Sequence, residues 1–153
     1  MTFAVPGYHL RQGSGLDRSL LVKFLGKTYA ELAGTQTFDH LAATVDQHLS
    51  PETPLWWVET ENEPPHTIAC LWLGNAIDQQ HGKRQSYVLV LYVLPEHRRQ
   101  GIATALLETA HDWSRGRGDR QIGLQVFADN AAAIALYRKL GYQTHSLWLT
   151  RSL

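Results

Sequence analysis

Apolar positions along the chain switch between a period near 3.6 and a period near 2, and each switch predicts a change of element. Tyr8 to Gln12 alternates weakly and reads as a first strand. Gly13-Ser14-Gly15 comes next, and Asp17 is placed to cap a helix in which Leu21, Phe24, Leu25, Thr28 and Leu32 keep helical spacing. Phe38 to Leu49 repeats that spacing through Phe38, Leu41, Val45 and Leu49, with Asp39 in its first turn. Leu55 to Glu59 and Thr67 to Leu73 are rich in β-formers and flank Asn62-Glu63-Pro64-Pro65, which predicts a hairpin. Asn75 to Arg84 reads as a polar loop.

The second half is more regular. Tyr87 to Val93 is apolar at every position, which predicts a central strand covered on both faces, and Pro95 ends it. Ile102, Leu106, Thr109, Ala110 and Trp113 form a helical stripe that closes with Arg115-Gly116-Arg117-Gly118. Ile122, Leu124 and Val126 alternate as a strand over Gln121 to Val126, and Asp129-Asn130 caps a helix carrying Ala133, Leu136, Tyr137 and Leu140, stopped by Gly141. Tyr142 to Leu149 reads as a final strand. The order β-α-α-β-β-β-α-β-α-β predicts an α/β fold, a mixed central sheet with helices on both faces.

Chemistry concentrates where the strand Tyr87 to Val93 hands over to the next helix, at Arg98-Arg99-Gln100-Gly101-Ile102-Ala103. The first helical turn exposes unpaired N–H groups at the positive end of the helix dipole, a ready site for phosphate. Gly101 lacks a Cβ and Ala103 carries only a methyl, so an anion can approach the backbone closely. Arg98 and Arg99 would be unfavourable beside a helix N-terminus unless an anion lay between them. Read locally, the same stretch is also a solvated pair of arginines in a tight turn.

Composition narrows the remaining classes. At 153 residues one domain spanning 1–153 is expected. With 14 basic and 14 acidic residues the formal charge is zero, which gives no global field for nucleic acid or an anionic membrane. The lone Cys70 allows no internal disulfide and reads as a small core residue, consistent with a reducing cytoplasm. Eight histidines show no metal-ligand spacing, so no metal is expected. Neither a leader nor a membrane span is legible, and a cytoplasmic location is the expectation.

Two separated motifs carry a resemblance. Val93-x-Pro95-Glu96-x-Arg98-Arg99-x-Gly101-Ile102-Ala103 resembles the acyl-CoA pyrophosphate motif of the GNAT superfamily of N-acetyltransferases, R/Q-x-x-G-x-G/A after a strand. Asn130-x-x-Ala133-x-x-Leu136-Tyr137-x-x-x-Gly141-Tyr142 is similar to that superfamily's second signature. The resemblance implies a GNAT-type sheet whose fourth and fifth strands splay, here Tyr87 to Val93 and Gln121 to Val126. It implies acetyl-CoA as co-substrate, held by Leu91, Val93, Arg98, Arg99, Gln100, Gly101, Ile102, Ala103 and Asn130. Tyr137 corresponds to the proton donor for the leaving sulfur, although its apolar helical stripe alone would make it a core tyrosine. Asn130 is a sound helix cap as well as a candidate ligand to the pantetheine arm.

The implied activity is transfer of acetyl from acetyl-CoA to a primary amine of a small molecule or peptide, by direct attack in a ternary complex. A homodimer is left open. One departure matters: Val90 and Leu91 stand where many relatives place a strand carboxylate as general base. Glu31, Glu59, His145 or water could serve instead, and a non-catalytic acyl-CoA-binding module of the same fold is the rival class. The acceptor pocket is expected between the first two helices, the Trp56/Trp57 strand and the last strand.

Overall fold

Strand β1 (Tyr8–Gln12) ends at Gly13; Asp17 stands at the N-cap position of the first α-helix as expected but makes no side-chain cap bond there, and Ser14 caps a 3-10 turn ahead of it. In this computed structural model, which describes residues 3–34 and 39–153, the Leu16 N–H donates to the Ser14 hydroxyl at 3.2 Å. The Ser14 N–H donates to Asp17 at 2.9 Å, which completes a reciprocal capping box and opens a short 3-10 turn. Helix α1 (Arg18–Ala33) continues from it, then α2 (Asp39–His48). Phe38, the expected start of the second helix, lies outside the described residues.

The hairpin forms as β2 (Leu55–Thr60) and β3 (Thr67–Ile77), and β4 (Arg84–Val93) folds back on β3. Both β3 and β4 run into the stretch expected to be loop, because Asn75 to Ile77 pair with Ser86 to Arg84. Helix α3 (Ile102–Arg117), β5 (Ile122–Gly123) and α4 (Ala131–Lys139) complete the order. The sheet runs β1-β2-β3-β4-β5, antiparallel except for the parallel β4–β5 pair.

Each sheet face carries its own apolar cluster. On one, Leu21, Phe24 and Leu25 of α1 and Leu41 and Val45 of α2 cover Trp57, Trp72, Val90 and Tyr92. On the other, Ile102, Leu106, Leu107 and Ala110 of α3 cover Trp56, Val58, Leu71, Val88 and Val93, with Tyr137 of α4 packed at the margin. Trp56 and Trp57 are therefore core on opposite faces, buried to 5% and 0% exposure, and neither walls an acceptor pocket as expected. Adjacent strand residues point to opposite faces, so a consecutive pair of tryptophans is divided between the two layers.

A bulge sets the end of β4. Trp72 pairs with Val90 but Leu73 pairs with Val88, so Leu89 is an extra residue on β4. Leu89 and Val90 consequently pack on the same cluster, and the alternation resumes with Leu91 and Val93 on the α3 side. Below the bulge, α3 is anchored by its far end. Ser114 donates to the buried Ser86 hydroxyl at 2.7 Å, Ser86 donates to Asp119 at 2.5 Å, and Arg117 pairs with Asp119 at 2.6 Å. Burial works against the Asp119 charge, but the bonds from Arg117 and Ser86 outweigh it and hold the carboxyl below its usual range.

Two strands fall short of the sequence pattern. Only Ile122 and Gly123 of the expected Gln121 to Val126 strand pair, and Tyr142 to Leu149 forms no strand. Leu147, Trp148 and Leu149 are 78%, 82% and 85% exposed. A β-forming segment becomes a strand only where an edge offers backbone partners, and β5 pairs too briefly to extend one.

Candidate functional site

The bulge and the brevity of β5 together open the sheet. β4 and β5 pair only at Ser86–Ile122 and Tyr87–Gly123. Leu94 donates its N–H to Ile68 of β3 at 2.8 Å, so by strand alternation the N–H groups of Val93 and Leu91 face the other way, toward the side β5 has left. An extended ligand entering there would meet the Leu91 and Val93 N–H groups, while the Val93 carbonyl is already taken by Arg98.

The loop above this opening is locally unusual. Arg99 and Gly101 both adopt left-handed backbone, at φ 63° and 84°. Two such residues flanking Gln100 curl the chain, and the concavity leads into the first turn of α3, which has no side-chain cap. Among the described residues, no acceptor meets the N–H groups of Ile102, Ala103 or Thr104, while Ala105 begins the helical pattern by donating to the Gly101 carbonyl at 3.0 Å. A Cβ built on Gly101 would meet no protein atom within 4 Å, so it would project into space the fold leaves open. An anionic phosphate fits these donors by charge and by room. Ile102 itself is core, so its contribution is backbone.

The two arginines differ. Arg98 is committed to the protein: its Nε donates to the Val93 carbonyl at 2.9 Å, its guanidinium grips both Glu31 oxygens at 2.8 Å, and it lies 5.4 Å from the Tyr92 ring centre. Arg99 is exposed and enters no ion pair among the described residues. From β1, Tyr8 reaches the same loop, with its hydroxyl 2.7 Å from His97 Nδ1 and donating to Gln100 at 3.3 Å. No sequence pattern links Tyr8 or Glu31 to this loop; only docking brings them there.

Across the opening, Asn130 caps α4 by accepting the Ala133 N–H at 3.3 Å, and its amide nitrogen has no hydrogen-bond partner among the described residues. Tyr137 packs on the same cluster as Leu91, and its hydroxyl has no hydrogen-bond partner among the described residues. Burial raises the phenol above its usual value, so it is protonated at neutral pH. Its ring meets Tyr142 edge-on at 5.6 Å, and Tyr142 in turn lies 2.8 Å from His111 Nε2.

The alternative bases are mostly occupied. Glu31 holds Arg98; Glu59 holds Arg11 at 3.0 Å and lies 3.1 Å from His9. His145 is exposed on the segment that forms no strand. Cys70 is fully buried, and burial pushes its thiol up to about 12, which removes it as a nucleophile. No cluster of three or more potential metal ligands occurs among the described residues. None of their helices is long and apolar enough to cross a membrane.

Comparison with known proteins agrees with this geometry. The acetyltransferase (GNAT) family model matches residues 21–142. The chain is 29% identical to rat N-acetyltransferase 8F1 over 81% of its own length and 55% of the relative's. It is 39% identical to the ribosomal protein bS18-alanine N-acetyltransferase of Escherichia coli K12 over 41% of this chain and 50% of that one. The matches thus span about half the length of these curated relatives. A protein of Clostridium acetobutylicum described as a predicted acetyltransferase, solved with acetyl-CoA, shares the fold at a TM-score of 0.77, 21% identity, and coverage of 95% and 96% of the two chains.

Proposed function

Because the chain belongs to the acetyltransferase (GNAT) family, we propose that it transfers acetyl from acetyl-CoA to a primary amine by direct attack in a ternary complex. The observation that carries this reading is the uncapped N-terminus of α3 beneath a left-handed loop, next to a sheet that parts beyond Tyr87 and Gly123. The pyrophosphate would be held by N–H groups of Gly101, Ile102 and Ala103, with Arg99, which enters no ion pair among the described residues, as the neighbouring cation. Gln100 lies in the same curl. Arg98 acts as a positioning residue, since its bond to the Val93 carbonyl and its grip on Glu31 tie the loop to β4 and α1. Leu91 and Val93 would pair by their backbone with the pantetheine arm, and the amide nitrogen of Asn130 would meet it from the α4 side.

When bound, the co-substrate supplies an acetyl group activated as a thioester. The chain's own contribution is placement and proton supply. A backbone N–H of the splayed β4 would polarise the acetyl carbonyl, an effect that elsewhere contributes about 3–4 kcal/mol per donor. Tyr137 would hold the proton that the departing sulfur takes up; its raised phenol is protonated at working pH. With no strand carboxylate at Val90 or Leu91, the amine nitrogen loses its proton to water or arrives neutral.

The acceptor can be a small molecule or a peptide. The bS18-alanine N-acetyltransferase name points to a peptide amine for that relative, and this chain's acceptor is open to the same test. That test is a screen of primary amines against acetyl-CoA with a free-thiol readout. Thiol release that depends on an amine and on Tyr137 supports the reading. Tight CoA binding without thiol release across amino acids, polyamines, aminoglycosides and peptides would instead identify a non-catalytic acyl-CoA-binding module.

A further inference from the structure

A second cleft lies on the opposite side of the molecule's cofactor loop. It is an open groove of about 610 Å³ between α1, the β2–β3 turn, the first residues of β3 and the loop after β4. No residue of β5, α4 or the C-terminal segment lines it, so it is separate from the opening between β4 and β5. Its volume falls within the range of small-molecule sites.

Its charge is one-sided. Lys23 and Lys27 of α1, His66 of the turn and His97 of the loop contribute to its lining, and no acidic residue does. Lys23 and Lys27 stand at i and i+4, where like charges repel. Helix α1 carries four charged side chains, Arg18, Lys23, Lys27 and Glu31. The outer two are paired, Arg18 with Asp46 at 2.5 Å and Glu31 with Arg98 at 2.8 Å. The inner two have no ion-pair partner among the described residues.

Leu20, Leu94 and Pro65 give the rest of the lining its accessible apolar surface beside the polar Thr67, with Phe24 and Ile68 buried behind them. The turn is held in place, since Thr60 donates its N–H to the His66 carbonyl at 2.9 Å and His66 donates its own to the Thr60 hydroxyl at 2.9 Å. His97 is held as well, because Nδ1 lies 2.7 Å from the Tyr8 hydroxyl.

We propose that this cleft binds an organic anion, a carboxylate carried on an aliphatic body. The carboxylate would lie between Lys23 and Lys27, and its body against Leu20 and Leu94. Charge complementarity selects the sign, and the apolar wall selects against a bare inorganic ion. The ligand would touch His97, which shares Tyr8 with Gln100, so occupancy would be felt at the cofactor loop.

The test is an amide NMR titration of the full chain with octanoate, octan-1-ol and inorganic phosphate, each with saturating CoA present to occupy the first site. Octanoate is expected to shift Lys23, Lys27, His66 to Ile68 and His97. Octan-1-ol and phosphate are each expected to bind at least about tenfold more weakly. In a Lys23→Gln/Lys27→Gln variant, whose exposed substitutions leave the core untouched and whose fold is checked by the same spectrum, octanoate affinity should fall at least about tenfold. Unchanged affinity in that variant would overturn the proposal. So would octanoate shifts confined to residues 101–103 and 130–137, or binding of octan-1-ol or phosphate as tight as that of octanoate.

Discussion

The chain makes the same move twice: a strand ends, a loop crosses the top of the sheet, and a helix begins. At α4 the opening is closed by a side chain, since the Asn130 Oδ1 accepts the Ala133 N–H, and the Asp129 backbone carbonyl accepts the Ala131 N–H. At α3 the equivalent position is Gly101, which has no side chain to offer, and the first turn keeps its donors. The capped end is a structural joint. The uncapped end, beside Arg99 and a curled backbone, is where the proposed phosphate would complete the hydrogen bonding.

The sharpest way to break that contrast is Gly101→Glu. Its Cβ meets nothing in the protein, so stability should fall only by about 1 kcal/mol for the left-handed backbone. Its carboxylate facing a phosphate should weaken CoA binding about 10³-fold. Calorimetry showing equal CoA affinity in wild type and variant would remove the anion site.

Tyr137→Phe probes the other helix and should lower turnover about 10²-fold with CoA affinity nearly intact. An unchanged rate in a chemistry-limited assay would return Tyr137 to the core. The missing strand carboxylate predicts a next effect: below the acceptor amine's pKa the rate should climb about tenfold per pH unit, following the neutral fraction. That limb should move when an acceptor of lower pKa is used. A limb pinned near pH 6 to 7 for every acceptor would point to a protein group, with His145 the first to mutate.

Asn130 separates cap from ligand. Asn130→Ala should cost about 1 kcal/mol, seen as a Tm lower by roughly 2–4 °C. Asn130→Asp keeps the capping oxygen and loses the amide nitrogen, so stability should hold while CoA affinity drops by up to about tenfold. Equal CoA affinity in Asn130→Asp would leave Asn130 a cap alone. The smallest effect belongs to Glu31→Gln, which releases Arg98 from a half-exposed pair worth about 0.2–1 kcal/mol. It should change thermal stability little and make CoA binding measurably weaker by loosening the loop; an unaltered CoA affinity would show that the loop holds its shape without α1.

Legibility tracks sequence distance. The β2–β3 hairpin, Gly101 after the strand, and the Asn130 cap are local patterns, and each forms where the chain chemistry puts it. Ser14 supplies the capping side chain ahead of Asp17 because a hydroxyl at the extended position reaches the Leu16 N–H, while Asp17 serves the same box from its other end. The short β5 and the strandless segment 142–149 depart from the pattern because β-rich composition does not say whether an edge will be there to pair with.

By itself the sequence determined the alternation of elements, the side-chain-free helix entrance at Gly101, the family resemblance and the absence of a carboxylate at Val90 and Leu91. These depend on residues within a few positions of one another, where backbone preference and periodicity act directly. Only the tertiary structure decided that Arg98 is taken by Glu31, 67 residues away, that Tyr8 steadies His97 across 89 residues, and that Lys23 and Lys27 face a cleft with no acid to answer them. Those pairings are made when α1 docks on the sheet and β1 takes its place at the sheet edge, and such assembly is chosen by the summed burial of apolar faces rather than by any local signal along the chain.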